Sequence, residues 1–166
     1  MNENPMLRVF VYGTLKRGFH NHERLCQAAT ACHPATTWGQ LYHLPAGYPA
    51  LIIPDGHALA LGTGTPLADA RTQQNFKSAE TCRPEGDWDT VHGEVLAFED
   101  AESALPPLDW LEGFTPGEPG LYDRVLIQVQ SQNRWTTAWV YVMHEVRKGV
   151  RVKDGNWQGD PRELHT

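Results

Sequence analysis

The sequence predicts an α+β fold built on a curled or closed mixed sheet. Three observations carry that expectation. Strand-forming runs outnumber helical ones along the 166 residues. Two of those runs, residues 125–129 and 135–143, flank a Ser131-Gln132-Asn133 turn and read as a hairpin. The helical patterns are few and unevenly spaced, unlike the regular alternation of a doubly wound sheet.

Taken in order, residues 7–12 are an apolar, β-prone run and form the first expected strand. Asn21 is placed to cap a short helix whose apolar face is Leu25, Ala28 and Ala29. Residues 38–43 form a second strand candidate, and the segment from Pro45 to Pro49 turns the chain into Ala50-Leu51-Ile52-Ile53. Residues 54–90 are rich in Gly, Pro and polar side chains and read as a long excursion. Within it, Thr65-Pro66 has the cap and first residue of a helix, although the apolar period behind it is weak. Regular structure resumes at Val91, with residues 94–98 alternating as a strand. Pro106-Pro107 opens a short helix with Leu105, Leu108 and Leu111 on one face, and Gly113 ends it. Val125, Ile127 and Val129 alternate with Leu126, Gln128 and Gln130 in the first arm of the hairpin. Beyond Arg147 the tail is polar and reads as loose, with Trp157 available to anchor it. The organisation is that of a single domain, 1–166, with a core of about 7–143, an insertion at 54–90 and a tail at 147–166.

Composition bounds the function. Hydrophobic residues make up 40% and charged residues 20%, which suits a globular chain. The formal net charge is −6 and Lys16-Arg17 and Arg147-Lys148 are only pairs, which disfavours a nucleic-acid partner. No apolar run approaches the ~18 residues of a membrane-spanning helix. The N-terminus, MNENPMLR, lacks the apolar core of a signal peptide, so the expected location is the cytoplasm. Cys26, Cys32 and His33, with His20 and His22, match no standard zinc spacing, so no metal is expected. Cys26 and Cys32 have no residue that orients them as a Cys–His pair. Oligomeric state stays open.

Two features point to chemistry. The first is VFVYGTLKRG, residues 9–18, where a strand breaks into Gly13-Thr14-Leu15. A strand ending in glycine exposes backbone N–H groups that a carboxylate or oxyanion can approach closely. A plain tight turn is the other reading of Gly13. Gly13 and Gly18 have Walker A spacing, but Phe19-His20 stand where Lys and Ser/Thr are needed, which excludes that phosphate loop. Gly62-Thr63-Gly64 lacks the third glycine of a dinucleotide loop.

The second feature is Glu112, immediately before the helix-ending Gly113 and among Trp110, Leu111 and Phe114. The negative end of the helix and apolar neighbours both disfavour its charged form, so burial raises its pKa toward general acid–base work. An exposed glutamate on a short helix is the other reading. Asp109 reads as a structural polar position on the outer face of that helix.

The segments VFVYGTLKRG, GQLYHL with YPAL, VHGEVLAF, LDWLEGF, LYDRVLIQV and TAWVYV, in this order, resemble the γ-glutamylcyclotransferase-like family. That family includes γ-glutamylamine cyclotransferases and AIG2-like proteins. The resemblance spans most of residues 7–143. It implies a small mixed β-barrel with a few surrounding helices. It implies that Tyr12, Gly13, Thr14 and Leu15 bind a γ-glutamyl group through the backbone, that Glu112 is the catalytic glutamate, and that Tyr122 and Arg124 flank the pocket. For Arg124 a structural ion pair is an equal reading. The implied reaction is attack of a small-molecule substrate's α-amine on its γ-glutamyl amide, giving 5-oxoproline and a free amine, without metal or cofactor. Two alternatives stand beside it: a γ-glutamyl amide hydrolase or acyltransferase, and a non-catalytic binding module for a γ-glutamyl or small acidic metabolite. The 54–90 excursion is longer than compact members of the family need, and offers a lid or a part of the pocket.

Overall fold

The structure is a computed structural model and describes residues 5–120 and 122–159. Leu121 of the LYDR segment, residues 1–4 of the N-terminal reading and residues 160–166 of the tail lie outside that range. The elements are β1 (Leu7–Val11), α1 (His20–Leu25), β2 (Ala31–His43), β3 (Pro49–Ile52), β4 (Ala60–Leu61) and α2 (Pro66–Asn75). They continue with β5 (Asp89–Phe98), α3 (Ala101–Glu112), β6 (Asp123–Ser131), β7 (Arg134–Val142) and β8 (Val150–Arg151).

Strands β2, β5, β1, β7 and β6 are neighbours in that order, and a β2–β6 pairing at Thr36↔Gln130 closes them into a five-stranded barrel. The β1–β7 pair is parallel, at Val9↔Trp139, and the other pairs are antiparallel, so the barrel is mixed. β3 and β8 extend the far end of β2, and β4 adds to β6. This is the α+β barrel that the sequence predicted.

β1 is buried on both faces, which explains its continuous apolar run. Phe10 and Tyr12 point into the barrel with Leu41, Val91, Val125, Ile127, Val140 and Val142. Leu7, Val9 and Val11 point the other way, into a second core that joins the barrel wall to Ala70, Leu105 and Leu108 of the helices. The hairpin forms as expected, with Gln132 and Asn133 as its two-residue turn. Their φ angles of 53° and 62° are those of a type I′ connection, whose twist matches the flanking strands.

Several element boundaries differ from the sequence expectation. β2 begins at Ala31, well before residue 38, because its first half pairs with β5 from Ala31↔Ala97 onward. The capping residue before α1 is Phe19, and the helix ends at Leu25 before Ala28 and Ala29. Asn21 instead turns its amide to Thr14 Oγ1 at 2.9 Å. α3 starts at Ala101, not at Pro106-Pro107. Asp100 caps it, accepting from Ser103 N at 3.2 Å and from Ser103 Oγ at 2.7 Å. Both prolines sit inside the helix on its exposed side, where the carbonyls they leave unpaired face water. α2 does start at Pro66 with Thr65 as cap.

Candidate active site

At the end of the barrel where β1 runs out lies a cavity of about 390 Å³. Tyr12, Gly13, Thr14 and Leu15 form one wall, Leu111 and Glu112 from the end of α3 another, and Tyr122 and Tyr141 a third. Gly47 and Tyr48, from the β2–β3 connection, and Pro49, the first residue of β3, complete it with Phe10, Val11 and Asn21. β6 and β7 are paired so that Tyr122 and Tyr141 fall at the same end as the β1 exit.

Gly13 needs no unusual φ; it is required by close approach. A Cβ there would stand 2.5 Å from Pro49 Cγ and 3.0 Å from Pro49 Cδ. The turn is closed by Lys16 N donating to Gly13 O at 3.0 Å and pinned by the ring of His22 against Leu15 O at 2.7 Å. Among the described residues, the N–H groups of Gly13, Thr14 and Leu15 donate to no protein acceptor. All three residues line the cavity, and N–H groups free in such a wall can take a carboxylate or a developing oxyanion.

Glu112 is the last residue of α3, which Gly113 ends in the left-handed region at φ 69°. The glutamate lines the cavity and remains partly accessible to solvent. Burial nonetheless pushes its pKa from 4.5 up to about 7. No hydrogen bond or ion pair from the described residues offsets that burial, and the helix end adds an unfavourable field. It is the only Asp or Glu of the cavity lining, and no Lys, Arg or His lines it among the described residues.

The tyrosines are tied back into the fold. Tyr12 Oη donates to Tyr141 O at 2.6 Å, Tyr122 Oη to Pro49 O at 2.7 Å, and Tyr141 Oη to Asp109 Oδ1 at 2.6 Å. Burial and the nearby Glu112 charge raise the pKa of all three, so they are neutral.

Arg124 is not in the cavity lining. It is completely enclosed, with Nε on Asp109 Oδ1 at 2.8 Å, Nη1 on Asp69 Oδ2 at 2.9 Å, and Nη2 on Asp109 Oδ2 at 3.1 Å and Thr63 O at 2.9 Å. Its guanidinium stacks between Phe114 and Trp139, at 5.0 and 5.2 Å from the ring centroids. With four of its five N–H donors occupied and no exposed surface, it has the surroundings of a structural ion pair and not of a substrate contact. Asp109 accordingly faces inward to Arg124 and Tyr141, which corrects its expected outer-face position. The 54–90 excursion gives no residue to the cavity; it supplies Asp69 and Thr63 to Arg124 and packs α2 on α3, β1 and β7.

The structure thus gathers Tyr12, Gly13, Thr14, Leu15, Tyr122 and Glu112 around one cavity and leaves Arg124 behind it. Sequence reasoning passed over Tyr141, Tyr48 and Asn21. Tyr141 stands in the TAWVYV segment and Tyr48 in YPAL, both singled out as motifs, but no local pattern says that a strand aromatic faces a cavity.

No helix of the described residues is long and apolar enough to cross a membrane. A curated relative, the γ-L-glutamyl-butirosin B γ-glutamyl cyclotransferase of Niallia circulans, is 27% identical over 139 residues, covering 82% of this chain and 67% of that protein. Among solved structures, YkqA from Bacillus subtilis has a similar fold, with a TM-score of 0.56 at 22% identity. The match covers 92% of this chain but 39% of that one, so the chain spans well under half of that protein. The family model for γ-glutamyl cyclotransferase, AIG2-like, matches residues 9–81 and 63–159, and the chain belongs to that family of enzymes.

Proposed function

We propose that the chain releases 5-oxoproline from a small γ-glutamyl amide by intramolecular cyclisation, with Glu112 as the proton carrier. The observation that carries this reading is an unpaired carboxyl of pKa about 7 sharing a cavity with three unpaired backbone N–H groups. The α-amine nitrogen forms a bond to the γ-carbonyl carbon, the amide C–N bond breaks, and a five-membered lactam closes. Glu112 takes a proton from the α-ammonium to free the attacking amine; the two protons that the α-nitrogen sheds in becoming a lactam N–H pass through this carboxyl to the departing nitrogen, which leaves as an ammonium. Nucleophile and electrophile belong to one molecule, so the protein's first task is to hold the chain folded back on itself. The Gly13–Leu15 donors hold the α-carboxylate or the oxyanion.

Magnitudes support the pairing of base and substrate. An α-ammonium has a pKa near 8, and an ordinary glutamate near 4.3, a gap of about 3.5 units or roughly 5 kcal/mol. With Glu112 at about 7, the gap falls to about one unit, or roughly 1.4 kcal/mol. The base form is populated above pH 7, so kcat/KM rises with pH through a limb near 7.

Product analysis tests the reaction type. The proposal expects 5-oxoproline and free amine from a γ-glutamyl amide. Free glutamate would identify a hydrolase instead, and binding of 5-oxoproline without turnover of any γ-glutamyl compound would identify a binding module.

A further inference from the structure

Three phenols beside Glu112 direct their hydrogen bonds elsewhere. Tyr12, following β1, and Tyr122, preceding β6, donate to backbone carbonyls at Tyr141 and Pro49. Tyr141, on β7, donates to the side chain of Asp109 at 2.6 Å. All three lie close enough to Glu112 to feel its charge. A phenol has one proton to give. None of the three therefore donates to Glu112, and Tyr48 packs on Tyr122 with ring centroids 6.5 Å apart.

Two of these acceptors are carbonyls held by the sheet and its connections. The third is a side chain and needs its own support. Asp109 stands one helical turn before Glu112 and is gripped through both oxygens by Arg124, at 2.8 and 3.1 Å. Arg124 is itself fixed by Asp69 and lies directly opposite Tyr141 in the β6–β7 register. Besides Asp109, Glu112 is the carboxylate whose charge Tyr141 feels, and Glu112 and Tyr141 line the same cavity.

We propose that Asp109, held by Arg124, is a positioning residue for Glu112: it accepts the hydrogen bond of the Tyr141 hydroxyl and keeps that hydroxyl from donating to the proposed base. A donor on a carboxylate stabilises the charged form and makes it a weaker base. The Asp109–Arg124 pair thus preserves the base strength of Glu112 without touching it or the substrate. The role rests on Glu112 being the base, but its test reads the carboxyl directly and needs no turnover. The titratable groups facing Glu112 are Tyr12, Tyr122, Tyr141 and Tyr48 from the strands and connections around it, with Asp109 on its own helix and Arg124 behind Asp109.

The test is a carboxyl ¹³C NMR titration of Glu112, its resonance assigned by its loss in Glu112→Gln. The wild-type midpoint is expected near 7 and unchanged in Tyr141→Phe. In Asp109→Leu, which removes the acceptor that an asparagine oxygen would keep, it falls by about one unit, the size of one charge-assisted hydrogen bond. In the Asp109→Leu/Tyr141→Phe double variant the midpoint returns toward 7, because the released donor is gone. Equal midpoints in Asp109→Leu and the double variant would overturn the proposal, since a lost charge or a purely structural role acts on both alike. A midpoint raised by a unit in Tyr141→Phe would overturn it too, because Tyr141 would then be a donor to Glu112 in the wild type. That second arm leaves the Arg124–Asp109 pair intact, and if Asp109→Leu fails to fold, the smaller Asp109→Ala carries the same comparison. Absence of 5-oxoproline release would remove the catalytic purpose while leaving both arms readable.

Discussion

At Glu112, the pKa that suits the proposed chemistry also costs stability. Its folded pKa lies above the ordinary value of 4.5, so between about 4.5 and 7 the folded state binds this proton more tightly than the unfolded chain does. Stability from this group is full below 4.5, declines as pH rises through that window, and is lost above 7, a loss of about 3 kcal/mol. Glu112→Gln removes the charge and keeps the shape. Thermal unfolding is expected to show the variant more stable than wild type at pH 8 and nearly equal to it at pH 4.5; equal melting at both values would mean a solvated carboxylate. Gly13 makes a second residue-scale case. Gly13→Ala drives a Cβ into the Pro49 ring and is expected to cost about 1–3 kcal/mol in denaturant unfolding. Glu112 was legible in the sequence because the helix end and its apolar neighbours are local features. The packing reason for Gly13 was not, because Pro49 comes from a different connection.

α3 shows how an element delivers a side chain. Its first turn is fixed by the Asp100–Ser103 cap, its last by Gly113, and its middle is clamped to the barrel by Arg124 through Asp109. Arg124→Leu leaves Asp69 and Asp109 without their counter-charge in a closed site and is expected to cost about 3–5 kcal/mol. Arg124→Lys is also expected to destabilise, since one ammonium cannot span both carboxylates and the Thr63 carbonyl. Denaturant midpoints check both, and a Lys variant as stable as wild type would contradict the clamp. The C-terminal end of α3 was legible from Gly113. Its start was not, because Pro106-Pro107 looks like an opening while the Asp100 cap outweighs the two lost hydrogen bonds on the exposed side. The role of Arg124 was equally hidden, since Asp69 comes from the 54–90 excursion, where the helical period is weak.

The whole molecule is a barrel whose site sits at one rim, secured from the C-terminal side. Trp157 is buried, packs against Phe19 at a tilt with ring centroids 5.4 Å apart, and donates through Nε1 to His43 Nδ1 at 3.0 Å. Its carbonyl accepts from Lys16 Nζ at 2.6 Å, directly after the Gly13–Leu15 turn. Trp157→Ala is therefore expected to cost about 3–5 kcal/mol and to raise KM as the turn loosens; an unchanged KM in a folded variant would uncouple the tail from the site. The strand-rich composition, the hairpin and the anchoring Trp157 were visible in the sequence. Strand order was not: the parallel β1–β7 pair and the β2–β6 closure join segments far apart in the chain, and periodicity says nothing about such partners. The early half of β2 was hidden for a related reason. Cys32, His33 and Pro34 look unlike a strand until β5 is there to pair with them.

The most direct test of the account is the rate of 5-oxoproline release from a panel of γ-glutamyl amines and γ-glutamyl amino acids, with wild type and Glu112→Gln side by side. The expected result is release by wild type from at least one member and a loss of at least ~10²–10⁴-fold in the folded Glu112→Gln protein, the range for a general base. Comparable rates in the two proteins would contradict the assignment of Glu112, and no release by wild type from any member would contradict the cyclotransferase reading itself.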